Sequence, residues 1–255
     1  MDALPKTPSF RLDGQRALVT GAGRGIGLAA AAALAEAGAE VTLVARSEGE
    51  IRDAAEAIEA AGGRARARAL DVTDSEAVRA LLADHGPFTV LVNNAGMNRP
   101  ALASEVTEAD YDTVMDLNVK SAFFLAREVA GALQAAGLPG SIINLSSQMG
   151  HVGGLKRTVY CASKHAVEGW TKAMAWEVGK DNIRVNTVCP TFIETPMTRP
   201  MLDDPAFREN VLRQIALGRL GQPEDIMGAV VFLASNASAL VTGSALMVDG
   251  GWTAV

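Results

Sequence analysis

Tyr160 and Lys164 stand four positions apart in a stretch with helical patterning, so their side chains share one helix face. A phenol titrates near pH 10 and is a poor base at neutrality. Bringing it to about 7 takes roughly 3 pH units, or about 4 kcal/mol of preferential stabilisation of the phenolate. Neighbouring positive charge in a dry site can supply that, and an ammonium one helical turn away is such a charge. The pair therefore suits general acid/base work on a proton held by oxygen. Tyrosine occurs twice in the chain, as Tyr111 and Tyr160, which argues against an ordinary surface pairing.

A second constellation lies near the start. Thr20-Gly21-Ala22-Gly23-Arg24-Gly25-Ile26-Gly27 follows an apolar run and opens a helical stretch. Glycines there permit positive φ and let backbone amides approach a pyrophosphate, which the helix N-terminus then faces. A glycine-rich turn alone also fits a tight strand-to-helix connection; its place between a first strand and a long helix favours dinucleotide binding. The spacing is Gly-x-x-x-Gly-x-Gly over Gly21, Gly25 and Gly27, not the Gly-x-Gly-x-x-Gly of the standard fingerprint.

These residues need a scaffold, and the chain alternates short apolar runs with longer helical ones. Strands are expected over 17–20, 40–45, 64–70, 89–92, 141–146, 184–188 and 245–248, and helices over 25–37, 48–61, 75–83, 108–135, 159–179 and 223–234. That alternation implies an α/β fold: one doubly wound, Rossmann-like parallel sheet of about seven strands with helices on both faces. The strands are nearly continuous apolar runs, as expected of a sheet covered twice. Nothing marks a linker, so residues 1–255 are expected to form one domain for both dinucleotide binding and catalysis. Residues 191–220, rich in Pro and Met with their own helical pattern over 205–215, suggest a substrate lid.

With 255 residues, 49% hydrophobic and 20% charged, the chain can bury a core. A net charge of -6 argues against a nucleic-acid partner. The first ten residues lack a signal pattern, and no apolar run reaches the roughly 20 residues of a membrane span. Two cysteines, Cys161 and Cys189, show no CxxC or His/Cys clustering. They suggest free thiols in a reduced compartment, hence a cytoplasmic protein.

The variant glycine spacing brings a resemblance into view. The chain resembles the short-chain dehydrogenase/reductase family over nearly its whole length, and further motifs fall at that family's spacing. Asp71-Val72 resembles the pair that contacts the adenine ring, and Asn93-Asn94-Ala95-Gly96 the sheet-stabilising, ribose-side turn. Pro190 to Thr195 resembles the nicotinamide-side loop, with Ile193 and Thr195 at the carboxamide- and phosphate-contacting positions. The resemblance implies a hydride transfer between a nicotinamide dinucleotide and an alcohol/carbonyl pair, catalysed by Asn118, Ser147, Tyr160 and Lys164. Tyr160 and Lys164 would also contact the cofactor, and the cationic oxidised nicotinamide would help to hold the phenolate. Ser147, thirteen positions before Tyr160, would hold the substrate oxygen; the neighbouring Ser146 is set aside by that spacing, since only one of two successive strand-end residues can face the cofactor. Asn118 would bend its helix and hold, through its backbone, a proton-relay water. The chain departs from the family at Thr191, where most relatives have glycine, so that turn must form without glycine's freedom.

The cofactor is expected to be NADP(H), with NAD(H) possible. NAD(H) enzymes usually carry an acidic residue at the end of the second strand. Here Ala45 occupies that place and Arg46 follows, a guanidinium suited to a 2′-phosphate, with Arg24 as a second positive charge. The alternative is a solvated Arg46 at a helix entry. Among the histidines, His85 and His165 suggest surface positions. His151, four past Ser147, either lines the substrate pocket beside Gln148 and Phe192 or is an ordinary loop residue. No spacing suggests metal ligands.

The resulting expectation is an NAD(P)-dependent oxidoreductase on a small polar alcohol/ketone substrate. One alternative is a 3-oxoacyl-thioester reductase on acyl carrier protein; relatives of that kind tend to carry basic residues where this chain has Leu138 and Asp181. Another is a non-catalytic cofactor sensor, but such proteins typically lose the tyrosine or lysine kept here. Surplus apolar residues over 108–135 and 159–179 (Phe123, Phe124, Leu125; Trp170, Met174, Trp176) and the tail Gly-Gly-Trp-Thr-Ala-Val suggest buried subunit contacts, and with the resemblance a homotetramer.

Overall fold

In a computed structural model of the chain, residues 4–255 are described; residues 1–3, part of the expected domain 1–255 and of the N-terminal stretch, lie outside them. Seven strands, β1 (Arg16–Thr20), β2 (Glu40–Ala45), β3 (Arg64–Ala69), β4 (Val90–Asn93), β5 (Gly140–Leu145), β6 (Ile183–Pro190) and β7 (Ala245–Val248), form a sheet ordered β3-β2-β1-β4-β5-β6-β7. Every adjacent pair is parallel. The helices among the described residues are α1 (Gly25–Glu36), α2 (Glu48–Ala60), α3 (Ser75–His85), α4 (Glu108–Met115), α5 (Ala122–Ala136), α6 (Thr158–Val178), α7 (Arg199–Leu202), α8 (Pro205–Gln214) and α9 (Glu224–Ala234). None is long and apolar enough to cross a membrane.

The sheet separates two apolar cores. Ala30, Leu34, Ile58, Val230 and Leu233 from α1, α2 and α9 pack on one face; Val78, Leu81, Leu125, Val129 and Met174 from α3, α5 and α6 pack on the other. The inner strands are buried on both sides, which is why they are mostly apolar. β3 differs. Its sequence Arg-Ala-Arg-Ala-Arg-Ala alternates and leaves most residues in contact with solvent, because it forms one edge of the sheet, where charge also discourages further pairing.

β1 lies between β2 and β4, so the connections leave it in opposite directions and a crevice opens at the carboxyl ends of the strands. The helix expected over 108–135 is not continuous: Asp116–Ser121, containing Asn118, is a π segment between α4 and α5. π segments often occur where a helix has to present a particular residue. The excursion 191–220 carries α7, which the sequence did not suggest, and α8. Phe192, Leu202, Val211, Ile215 and Leu220 form its own small apolar cluster, packed against Tyr160 and Trp252.

Candidate active site

The glycine turn sits at the end of β1 and leads into α1, whose N-cap Arg24 makes no side-chain capping bond. The first amides of α1 are thus available to an anion. Gly21 has φ 61°, and a Cβ there would lie 2.9 Å from Asn94 Nδ2. At Gly27 a Cβ would lie 2.2 Å from the Gly21 carbonyl oxygen, so Gly27 is needed for close packing rather than for contact with a ligand. Asn94 ties this turn to the end of β4 by donating to the carbonyls of Thr20 (2.9 Å) and Gly21 (3.1 Å).

A cleft of about 410 Å³ runs along these turns, lined by Gly21, Arg24, Gly25 and Ile26 of the glycine turn and by Asn94, Ala95 and Gly96. Ala45, Arg46, Asp71, Val72 and Thr195 also line it, so most of the residues singled out for the dinucleotide share one groove. Gly27, Tyr160, Lys164, Pro190 and Ile193 lie outside its lining. Ile193 is buried and bridges to Gly221, holding the excursion to its own far end. Ser47, the N-cap of α2, lines the cleft beside Arg46 and was not singled out. The uncapped helix start, the two arginines and the glycine cradle together fit a phosphorylated dinucleotide. Arg24 is paired with Glu50 at 3.2 Å, and Asp71 accepts from Thr73, which holds its carboxyl below the ordinary range.

A second cavity, about 240 Å³, adjoins the first at Met197. It brings together Ser147, Gln148, Tyr160 and Phe192 with Asn98, Arg157 and Thr191. Ser147, two residues past β5, caps the turn Gln148–Gly150 and donates to Gln148 Oε1 at 2.6 Å. Tyr160 and Lys164 lie one turn apart at the start of α6, with Lys164 Nζ 5.6 Å from the Tyr160 ring centroid and donating to the Leu145 carbonyl at 2.7 Å. The Asn118 side chain binds Met97 through both ends and donates to Ser163 at 3.1 Å, fixing the π segment against α6. A buried chain of amides from Asn93 through Asn144 to Thr171 joins β4, β5 and α6. Thr191 adopts its position without positive φ, so the chain meets the missing glycine with ordinary backbone.

The electrostatics differ in one respect from the sequence expectation. Burial pushes the Tyr160 phenol up, and the groups that oppose it are first the Ser147 hydroxyl and then the Arg157 guanidinium, rather than Lys164. Lys164 is itself pushed down to about 8 by burial, with Cys189 and Glu168 opposing. In the unfolded chain this amine titrates near its ordinary value, so between about pH 8 and 10.5 the unfolded state binds more protons and Lys164 makes the fold more stable as pH rises. Cys189, pushed up to about 12, acts oppositely above about pH 9. Lys164→Met is therefore expected to flatten the rise in unfolding free energy between pH 8 and 9, by up to about 1.4 kcal/mol per pH unit. Denaturant titrations of both proteins check this; parallel pH profiles would refute it.

His151 does not join the substrate cavity. Its ring turns to Glu168 and Cys189. His165 is exposed, its Nδ1 2.9 Å from the Cys161 carbonyl, and His85 is half-buried beside Arg68. The cavity's Asn98 and Arg157 were missed by sequence reasoning, and Thr191 was noted only as a departure in the turn. Arg157 is 6% exposed, and among the described residues it has no carboxylate partner. It donates only to the Lys156 carbonyl (3.3 Å) and the Met201 sulfur (3.0 Å). Asn98 Oδ1 and Thr191 Oγ1 are buried with no hydrogen-bond partner. The preceding Lys156 holds φ 58°, a local strain that fixes where Arg157 begins its helix.

A doubly wound parallel sheet with a phosphate-binding turn at its switch point, and a tyrosine–lysine pair beside it, defines a nicotinamide-dependent oxidoreductase. The family model described as enoyl-(acyl carrier protein) reductase matches residues 21–253. Gluconate 5-dehydrogenase of Gluconobacter oxydans is 40% identical over 248 residues, 96% of each chain. L-xylulose reductase of Mus musculus is 40% identical over 243 residues, 95% of this chain and 98% of that one. The crystal structure of a gluconate 5-dehydrogenase from Burkholderia cenocepacia in complex with NADP and tartrate is 37% identical, with a TM-score of 0.92 over 96% of this chain and 98% of that one. The chain belongs to the short-chain dehydrogenase/reductase family.

Proposed function

We propose that the chain is an NADP(H)-dependent dehydrogenase that interconverts the alcohol and ketone of a small polyhydroxy acid. One observation carries the substrate class: the cavity beside Tyr160 holds an unpaired, buried guanidinium, Arg157, and two orphaned polar atoms, Asn98 Oδ1 and Thr191 Oγ1. A buried charge without a counter-ion is costly, and a substrate carboxylate at Arg157 would offset it. The sugar-acid activity named for the gluconate 5-dehydrogenase relatives supports this reading.

NADP(H), when bound, supplies or accepts the hydride. Tyr160 then donates its phenolic proton to the carbonyl oxygen in reduction, or as phenolate takes the alcohol proton in oxidation. Ser147 releases Gln148 and donates to the same oxygen, stabilising the charge that develops there. Lys164, held by the Leu145 carbonyl, keeps an ammonium 5.6 Å from the Tyr160 ring centroid, behind the closer Ser147 and Arg157. Asn118 positions α6 through Ser163, and 191–220 acts as the lid that excludes water, with residues 1–255 working as one domain.

Turnover of sugar acids, polyols, secondary alcohols and 3-oxoacyl thioesters, followed by NADPH absorbance, tests the substrate class. Sugar acids are expected to lead, and faster turnover of a 3-oxoacyl thioester would overturn it. NADP(H) is expected to give the higher kcat/KM, and Arg46→Ala to narrow that preference about ten- to a hundredfold, the size of one charge-assisted phosphate contact. Equal kcat/KM with NADP(H) and NAD(H) in the unaltered enzyme would refute Arg46 as selector.

The free thiols Cys161 and Cys189 support a cytoplasmic location, and enzyme activity in the soluble cytosolic fraction would test it. Exposed Phe124, Trp176 and Leu240 support a homotetramer. Leu125 and Met174, by contrast, belong to the core, and Trp252 packs on Phe192 with centroids 5.7 Å apart, so the tail adds less free apolar surface than its sequence suggests. Sedimentation equilibrium is expected to give four times 26.5 kDa; a mass of 26.5 kDa would refute assembly.

A further inference from the structure

We propose that His151, Glu168 and Cys189 bind one divalent transition-metal ion of zinc-like character. Three donors of different type converge: His151 Nε2 lies 3.5 Å from Glu168 Oε1 and 3.5 Å from Cys189 Sγ, and Cys189 Sγ lies 3.2 Å from Glu168 Oε1. Metal–ligand lengths of 2.0–2.3 Å in a tetrahedral site put its vertices roughly 3.4–3.6 Å apart, so the three atoms already occupy one face of such a site. Mixed nitrogen, oxygen and sulfur donors suit a borderline ion rather than calcium or magnesium.

Independent features point to a cation. Glu168 is 5% exposed, and among the described residues no lysine or arginine pairs with it. Lys164, one helical turn earlier, couples to it only through space, and a buried carboxylate without a direct ion pair is expensive. Its second oxygen accepts from Thr187 Oγ1 at 3.0 Å, the outer contact that orients a ligating carboxylate. The buried hydroxyl of Ser146 has no hydrogen-bond partner and lies against Cys189, where it can donate to a thiolate. Gly150 makes the convergence possible: a Cβ there would lie 2.8 Å from Ser146 Oγ and 3.1 Å from Glu168 Cγ. Cys189 is fully buried, while His151 is 30% exposed, which leaves the solvent side for entry and for a fourth ligand such as water.

Binding releases the Cys189 thiol proton to solvent as the sulfur–metal bond forms, so carboxylate, thiolate and dication sum to zero charge where the cluster alone carries minus one. The ion would join the turn after Ser147 to α6 one helical turn past Lys164, and to the end of β6.

The probe is Co²⁺ added to the untagged full-length protein, read by thiolate-to-cobalt charge transfer in the near ultraviolet and followed by displacement with Zn²⁺. One Co²⁺ per chain and a band abolished by Zn²⁺ are expected. His151→Gln and Glu168→Gln should each weaken binding at least about tenfold. Cys189→Ser should abolish the band, and Cys161→Ser should keep it. A folded, unaltered protein that shows no band under excess Co²⁺ has a hydrogen-bonded cluster only, and the proposal fails. It fails equally if the band survives in Cys189→Ser. Should a variant not fold, the titration of the unaltered protein decides alone.

Discussion

Tyr160→Phe is expected to lower kcat by 10²–10⁴-fold, the usual worth of a positioned general acid/base, while leaving the dissociation constant of NADP(H) within about threefold. The substitution removes one oxygen and little shape. Tyr160 contributes its ring to the apolar cluster under 191–220, and phenylalanine keeps that packing. The loss therefore reports on the proton rather than on the fold. Burial holds the Tyr160 phenol above its ordinary range in the free enzyme, so the phenolate must be won from Ser147, Arg157 and the positive charge that oxidised NADP brings to the cleft. The pH at which oxidation activates should accordingly move down on cofactor binding. Steady-state kinetics with a saturating sugar acid, together with fluorescence titration of NADPH, checks both halves. Retention of more than about a tenth of kcat would remove Tyr160 from the chemistry.

The tyrosine–lysine pair and the glycine turn were legible because each is local: four positions on a helix, or seven across a turn, already determine a shared face or a cradle. The strand and helix order was legible for a similar reason, since inner strands covered on both faces are nearly continuous apolar runs. Legibility ended where the tertiary structure chooses partners. His151 follows Ser147 by four positions, yet its ring meets Glu168 and Cys189, which are 17 and 38 residues further along the chain. Arg157 was not singled out from the sequence; only burial without a carboxylate gives it meaning, and neither property has a sequence period. The bend expected at Asn118 takes the form of a π segment inside 108–135, and what the sequence left unread was its partners, Met97 and Ser163 from two other parts of the fold. Trp252, expected at a subunit contact from its place in an apolar tail, also packs tilted against Phe192 within its own chain.

Replacing Arg157 by methionine is expected to separate binding from stability. A charge-assisted contact to carboxylate contributes about 1.5–3 kcal/mol, so kcat/KM for an acidic substrate should fall roughly ten- to 150-fold, most of it in KM. Neutral polyols of the same length lack the partner and should lose less, only the share that Arg157 contributes to holding the Tyr160 phenolate. Stability should move the other way. The folded apoenzyme holds this guanidinium among Met201, Phe192 and Tyr160 with only a carbonyl and a thioether to accept from it, and its pKa is lowered by burial, the signature of a charge the fold would rather not hold. An apolar side chain of similar length removes that desolvation cost, so the melting temperature of Arg157→Met should equal or exceed that of the unaltered protein. Loss of activity with gain of stability is hard to obtain from a residue that merely packs, and it is the expected mark of one kept for its ligand. A Tm lowered by several degrees, with acids and polyols impaired alike, would make Arg157 a structural residue and would leave the preference for acidic substrates without its anchor.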